Sequence, residues 1–256
     1  MKSIFKKIAA SSGPFKVTRK DFLLILLPSL IWGWLAVSRP TFLSAYCGKE
    51  PALCTQESIN PADRLSLGIQ VDGADHLSYT TQNSSGLVAF SVPLLWSASQ
   101  AILGKISPLA LVSIWVTDLV LLTEVTVWNG LSTEISHHFT HRPRPFVYDD
   151  PSGHGANPSH YVSFYSGHTS FSSAIITAGF LILLTRGAPL FLLILYGAIG
   201  EALIFSTGYL RIMAARHFLT DVICGIFFGA FVAFWVIKKH QNAQASVDQL
   251  ENKYFR

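Results

Sequence analysis

The 256 residues are 50% hydrophobic and only 13% charged, with a mean hydropathy of +0.40, which excludes an ordinary soluble domain and points to a membrane protein. The formal net charge of +4 comes with no stacking platform and no helix-turn-helix pattern, so nucleic acid is not expected as a partner.

Six apolar runs are long enough, or nearly so, to cross a bilayer: Phe22–Val37, Gly86–Leu103, Ile106–Trp128, Thr169–Leu184, Leu190–Thr207 and Phe218–Ile237. The expected fold is all-α, a polytopic six-transmembrane-helix bundle forming one domain over residues 1–256, with outer loops 38–85 and 129–168. The first run carries Pro28 and Gly33, breaks that neighbouring helices tolerate. A cleaved signal peptide is the rival reading of it, but Ser44-Ala45-Tyr46-Cys47 is a poor cleavage site, so an uncleaved span is expected. Lys2, Lys6, Lys7, Lys16, Arg19 and Lys20 precede this run. Lys105 separates runs two and three, Arg186 runs four and five, and Lys238 and Lys239 follow the sixth. All fall on one side if both termini are cytoplasmic, which places the two long loops and the turn around Arg211 outside. Short loops and the lack of a eukaryotic retention signal fit a bacterial inner membrane. In loop 38–85, Cys47 and Cys54 either close a small ring in an oxidising outer space or stay free thiols; Cys224 lies inside the sixth run.

Seven of the nine histidines lie between His137 and His217, which singles out the outer face. Three short stretches there carry chemistry. Ser136–Phe146 contains Arg142-Pro143-Arg144-Pro145, where the prolines end any helix and hold two guanidinium groups on a stiff segment suited to phosphate. Ser163–Ser173 leads straight into the fourth run. Ser166-Gly167-His168 is expected in the first turn of that helix, where free N–H groups bind anions and His168 is a proton donor. Pro151-Ser152-Gly153-His154 looks similar, but the Gly155, Asn157 and Pro158 that follow mark it as a turn. The third stretch is Tyr209–Asp221. If it turns helical near Ala215, His217 and Asp221 share a face, so the carboxylate holds one ring nitrogen and bares the other as a nucleophile. Arg211 adds a permanent cation. The competing reading of this stretch is a juxtamembrane basic cluster with a helix-capping aspartate.

Together these residues resemble the three-part signature of the type 2 phosphatidic acid phosphatase superfamily, Lys-x6-Arg-Pro, Pro-Ser-Gly-His and Ser-Arg-x5-His-x3-Asp. Arg144-Pro145 matches the first part, Ser166-Gly167-His168 the second, and Arg211, His217 and Asp221 the third. The sequence departs from the pattern at His137, where the family has lysine, at Tyr165 for proline and at Leu210 for serine.

The resemblance implies phosphoryl transfer without metal or cofactor. His217 would attack phosphorus with Asp221 as its orienter, and His168 would protonate the leaving oxygen. Arg144, Arg211, Ser166 and Gly167 would surround the equatorial oxygens. It also implies a phosphorylated membrane lipid as substrate, a monoester or diphosphate, among phosphatidate, phosphatidylglycerol phosphate, polyprenyl diphosphates and lipid A. A lipid phosphotransferase would use the same residues. A proton-coupled transporter is the alternative of a different class, suggested by Asp118, Glu124 and Glu201 within runs; these are otherwise hydrogen-bonded groups facing the bundle interior. His141, His154 and His160 follow no metal-ligand spacing, so no metal site is expected. At the lysine position, His137 or its neighbour His138 is expected to act as a protonated cation assisted by Glu134, one turn earlier. Phosphate affinity should then fall as pH rises through the ring's titration. Comparing the Michaelis constants of wild type and His137→Ala between about pH 5 and 8 checks this, and identical profiles would refute it.

Overall fold

The computed structural model describes residues 14–254, with side chains described through residue 241, so Lys2, Lys6 and Lys7 lie outside the described residues. Six long helices run Arg19–Phe42 (α1), Ala74–Ile102 (α2), Pro108–Thr140 (α3), Gly167–Thr185 (α4), Leu190–Met213 (α5) and Leu219–Tyr254 (α6). Each is long and apolar enough to cross a membrane, and the described residues contain no strand. The all-helical, six-span expectation matches this architecture.

Local sequence explains where several helices begin. Thr18 and Asp21 form a reciprocal capping box at the start of α1. Ser107 caps α3 ahead of Pro108, whose missing N–H costs nothing in a first turn. Ser166 caps α4.

The most enclosed span is α4, which packs against α2, α3, α5 and α6. Its closest neighbour is α6, because small residues meet along that seam. A Cβ on Gly229 would stand 2.2 Å from the Ser170 carbonyl oxygen, and one on Gly225 would stand 2.9 Å from that of Ser166. Lipid tails give helices no hydrophobic reason to associate, so close backbone contact of this kind does much of the packing. It also sets the first turn of α6 beside the first turn of α4. By contrast α1 lies at the periphery, chiefly against α3.

Two helices run well past their apolar runs at the end of the bundle that bears the long loops. α2 begins at Ala74 rather than Gly86, and α3 continues to Thr140 rather than ending at Trp128. Hydropathy marks the part of a helix that lipid touches, whereas these extensions carry polar residues turned inward. The loops left between helices are accordingly 43–73 and 141–166, shorter than 38–85 and 129–168.

Cys47 and Cys54 are joined in a disulfide, with their Cα atoms 5.6 Å apart. Beside it the buried Tyr161 hydroxyl accepts from the Cys47 N–H (2.9 Å) and donates to the Gly155 carbonyl (2.7 Å), which ties loops 43–73 and 141–166 together. Asp63 anchors the first of these loops to α6, accepting from the Thr220 N–H at 2.9 Å.

The span carboxylates gather towards the opposite end of the bundle. Asp118 pairs with Arg186. Glu124 accepts from Lys239 Nζ (2.7 Å) and sits 2.9 Å from His240 Nε2. Asp21, Glu124 and His240 bring ligand-type atoms within 4.8 Å of one another, but Lys239 already compensates both carboxylates there, 3.6 Å from Asp21. Glu201 is exposed on α5.

The α4–α6 seam yields a direct expectation. Gly229→Ala should cost about 1–3 kcal/mol through overpacking against a backbone carbonyl that cannot move aside. An unchanged melting temperature in detergent would show that the two helices do not approach this closely.

Candidate active site

A cavity of about 390 Å³ opens between the ends of α1, α3 and α5 and the starts of α2 and α4. Arg144, Gly167, His168, Arg211, His217 and His137 all line it. Ser166 and Asp221, the other two site residues expected from sequence, stand behind its wall.

His217 owes its position to a tight turn. After α5 ends at Met213, Ala215 takes a left-handed conformation (φ +53°), and the N–H groups of Arg216 and His217 both fold back onto the Arg211 carbonyl, at 3.0 and 3.3 Å. The helix that follows starts at Leu219, not near Ala215, so His217 is not on a helical face with Asp221. Its Nδ1 lies 2.7 Å from the Ser163 carbonyl oxygen. A carbonyl only accepts, so the ring carries its proton on Nδ1 and the Nε2 lone pair is left bare. The Asp221 carboxylate is 3.8 Å from Nδ1 and does not hold the ring directly. It accepts instead from the Phe218 N–H (2.9 Å), the Ser163 hydroxyl (2.6 Å) and Arg142. Asp221, in the first turn of α6, thus ties back the N–H of the residue before the helix and fixes the residue that fixes His217.

Burial and the nearby Arg211 and Arg144 guanidinium groups push the His217 pKa well below its ordinary value, against the opposing pull of the Ser163 carbonyl. The ring is therefore neutral, as a nucleophile must be.

The two arginines of Arg-Pro-Arg-Pro diverge. Arg144 has polyproline-like geometry (φ −73°, ψ 157°), in which residues two apart do not share a face. Arg142 turns into the supporting structure, bonding Asp221 and Asp63 (2.7 Å) and lying over the Phe218 ring at 4.2 Å. Arg144 turns into the cavity. Its Nε has no partner, and among the described residues no carboxylate forms an ion pair with it.

Arg211, also buried, is held by Asp75 and by the Ser78 hydroxyl (3.2 Å). Asp75 binds Arg216 as well, at 2.9 Å. The arrangement depends on the polar extension of α2, docked on α5 by a hydrogen bond from the Val71 N–H to the Met213 carbonyl (2.8 Å).

His168 stands in the first turn of α4, with its Nε2 buried and unpartnered and the Tyr79 ring set edge-on against it at 4.3 Å. Gly167 bares its backbone to the cavity beside the positive end of α4. Ser166 is turned away, its hydroxyl 2.9 Å from that of Thr169, so it shapes the helix start instead of facing a ligand. His137 borders the cavity with its Nε2 3.2 Å from the Tyr165 carbonyl oxygen. Glu134 is 3.7 Å from its Nδ1, but the carboxylate is engaged by Arg39 of α1. The stretch Pro151–His154 forms a single helical turn capped by Asp150 and does not line the cavity.

Sequence reasoning passed over Ser163, Asp75, Tyr79 and Arg39. Asp75 and Tyr79 are four apart, the spacing of one helical face, but precede the apolar run. Arg39 lies two residues beyond the first run, a boundary position where a charge invites the question of a partner. Nothing local marks Ser163.

Residues 118–245, half of the chain, match the PAP2 superfamily. That segment contains every site residue expected from sequence. No curated protein and no solved structure matches the chain.

Because the folded pKa of His217 lies below the unfolded one, the stability carried by its neutral ring is complete above the ordinary value of about 6.5 and is lost as pH falls from there towards the folded value. A ¹⁵N titration of the ring should accordingly show no midpoint near 6.5. Such a midpoint would mean that water and not protein surrounds the imidazole.

Proposed function

Since the chain belongs to the PAP2 superfamily, whose members are phosphatases, we propose that it is a metal-independent membrane phosphatase that cleaves a lipid phosphomonoester or diphosphate through a phosphohistidine. The observation that carries this reading is the Arg144 guanidinium, free of any ion pair among the described residues, in the same cavity as Arg211, His168 and a neutral His217. A positively charged pocket with an uncommitted guanidinium fits an anion, and the bare Nε2 of His217 gives it a nucleophile.

In the reaction, His217 Nε2 attacks phosphorus while the bond to the lipid oxygen breaks. His168, protonated in the field of the incoming phosphate dianion, gives its proton to that oxygen. Water then attacks the phosphohistidine, His168 takes a proton from it, and phosphate leaves with His217 restored. Arg144, Arg211 and the amide end of α4 hold the equatorial oxygens as charge redistributes between them. Asp221 acts through Ser163, keeping the reactive nitrogen aimed and supporting the ring as it gains positive charge.

A lipid substrate is favoured by the cavity's lower wall, which reaches Trp32 on α1 and Thr126 and Gly130 on α3, well inside the spans. Lys105 and Arg186 lie just past the ends of α2 and α4 away from the cavity, and Lys238 and Lys239 lie where the apolar part of α6 ends, which supports cytoplasmic termini and an outward-facing site, as in a bacterial inner membrane. The transporter reading has less support, because Asp118 and Glu124 are committed to ion pairs away from the cavity.

Phosphate release from a panel of lipid phosphates in detergent tests the proposal. His217→Ala should abolish it, Arg144→Ala should lower it on the order of a hundredfold or more, and EDTA should leave it unchanged. Wild-type release by folded His217→Ala protein would sink the mechanism.

A further inference from the structure

The position at which the signature calls for lysine holds His137, and that ring is turned onto the Tyr165 carbonyl. A permanent cation nevertheless stands at this corner of the cavity. Arg39, in the last turn of α1 and outside the matched segment, places Nε and Nη2 each 2.5 Å from one oxygen of Glu134. Arg39 and Glu134 line the same cavity as Arg144 and His217.

We infer that Arg39 is a further phosphate-binding residue of this site, pinned by Glu134 and presenting the unused edge of its guanidinium to the substrate phosphate. This rests on the phosphatase reading above. The geometry of the group carries the inference. A planar guanidinium has five N–H bonds, and a side-on pair through Nε and Nη2 uses two of them. The Nη1–Nη2 edge remains, a second fork of the spacing that matches two phosphate oxygens. The Arg39 side chain is 32% exposed while Glu134 is 2% exposed, so the carboxylate lies inside the wall and the guanidinium stands at its surface.

Glu134 has more contacts than a simple latch requires. His137 and His138 flank it at 3.7 and 3.8 Å. The two-point pair with Glu134 fixes the plane of the arginine, so little side-chain freedom is lost when phosphate binds. It also offsets the charge of Arg39, which therefore contributes directed hydrogen bonds more than net attraction. Its removal should accordingly cost less than removal of Arg144. A purely structural role, clamping α1 onto α3, is the competing explanation, and it predicts that any cation able to pair with Glu134 will serve.

Arg39→Lys separates the two, because lysine keeps the ion pair but has no second fork. Phosphate affinity is read without turnover, as the concentration of inorganic phosphate that gives half the maximal rise in melting temperature. The expected result is a wild-type melting temperature without ligand and phosphate affinity weakened about tenfold, the scale of one charged hydrogen-bonded contact, with a matching rise in KM for the lipid phosphate. Wild-type phosphate affinity in Arg39→Lys would overturn the inference. Should that variant not fold, the double variant Arg39→Gln, Glu134→Gln removes both charges together: weakened phosphate affinity supports the inference, and undiminished affinity overturns it. Hydrolysis by the wild type reports on the phosphatase reading separately, since the phosphate titration involves no reaction.

Discussion

The buried Asp221 carboxylate is the interaction on which the site depends. It binds Arg142, ties down the first turn of α6, and anchors Ser163, whose carbonyl fixes the proton of His217. Three chain segments remote in sequence meet at one fully buried charge, and such a charge is tolerable only when it is paired and hydrogen-bonded throughout. The guanidinium of Arg142 and two directed donors, the Phe218 N–H and the Ser163 hydroxyl, supply that. Because Arg142 also binds Asp63, the same knot holds loop 43–73 against the start of α6. The His217 ring is therefore aimed by structure several bonds away from it, which is how a side chain in a short turn can be held as firmly as one in a helix.

Around the knot, the bundle distributes charge unevenly. Arg142, Arg211, Arg216 and Arg39 each have a carboxylate close by, in Asp221, Asp75 or Glu134. Arg144 has none among the described residues. An arginine left uncompensated beside the positive end of α4 makes the cavity a place where an anion removes a cost that the empty protein bears. The small residues of the α4–α6 seam matter here too: without Gly225 and Gly229 the two helix starts would stand farther apart, and the Ser166 N–H would not reach the Asp221 carbonyl at 3.1 Å.

Helix ends show how far local sequence reaches. Ser166-Gly167-His168 was legible as a helix start because a serine cap followed by a small residue is a local device, and α4 indeed begins at Gly167. The start of α6 was not, since Leu219 becomes the first helical residue only after the left-handed turn at Ala215, which packing imposes on a non-glycine residue. That four-residue shift moved the support of His217 from Asp221 itself to Ser163. In the same way, the apolar runs marked where lipid touches α2 and α3 but not where those helices end, and the unmarked extensions brought Tyr79 and Glu134 to the cavity and Asp75 to Arg211.

By itself, the sequence determined six runs long and apolar enough to cross a membrane, because spans of this length and composition suit no other solvent. It also singled out Arg144, Gly167, His168, Arg211 and His217, which the fold gathers in one cavity, through motif spacing that survives any arrangement of the helices. Only the tertiary structure decided how those residues are aimed. It turned Arg142 and Ser166 into support, left Arg144 uncompensated, and drew Arg39 in from a helix remote in sequence. Those outcomes depend on contacts between distant segments, and distance along a chain carries no signal of who will be neighbours across it.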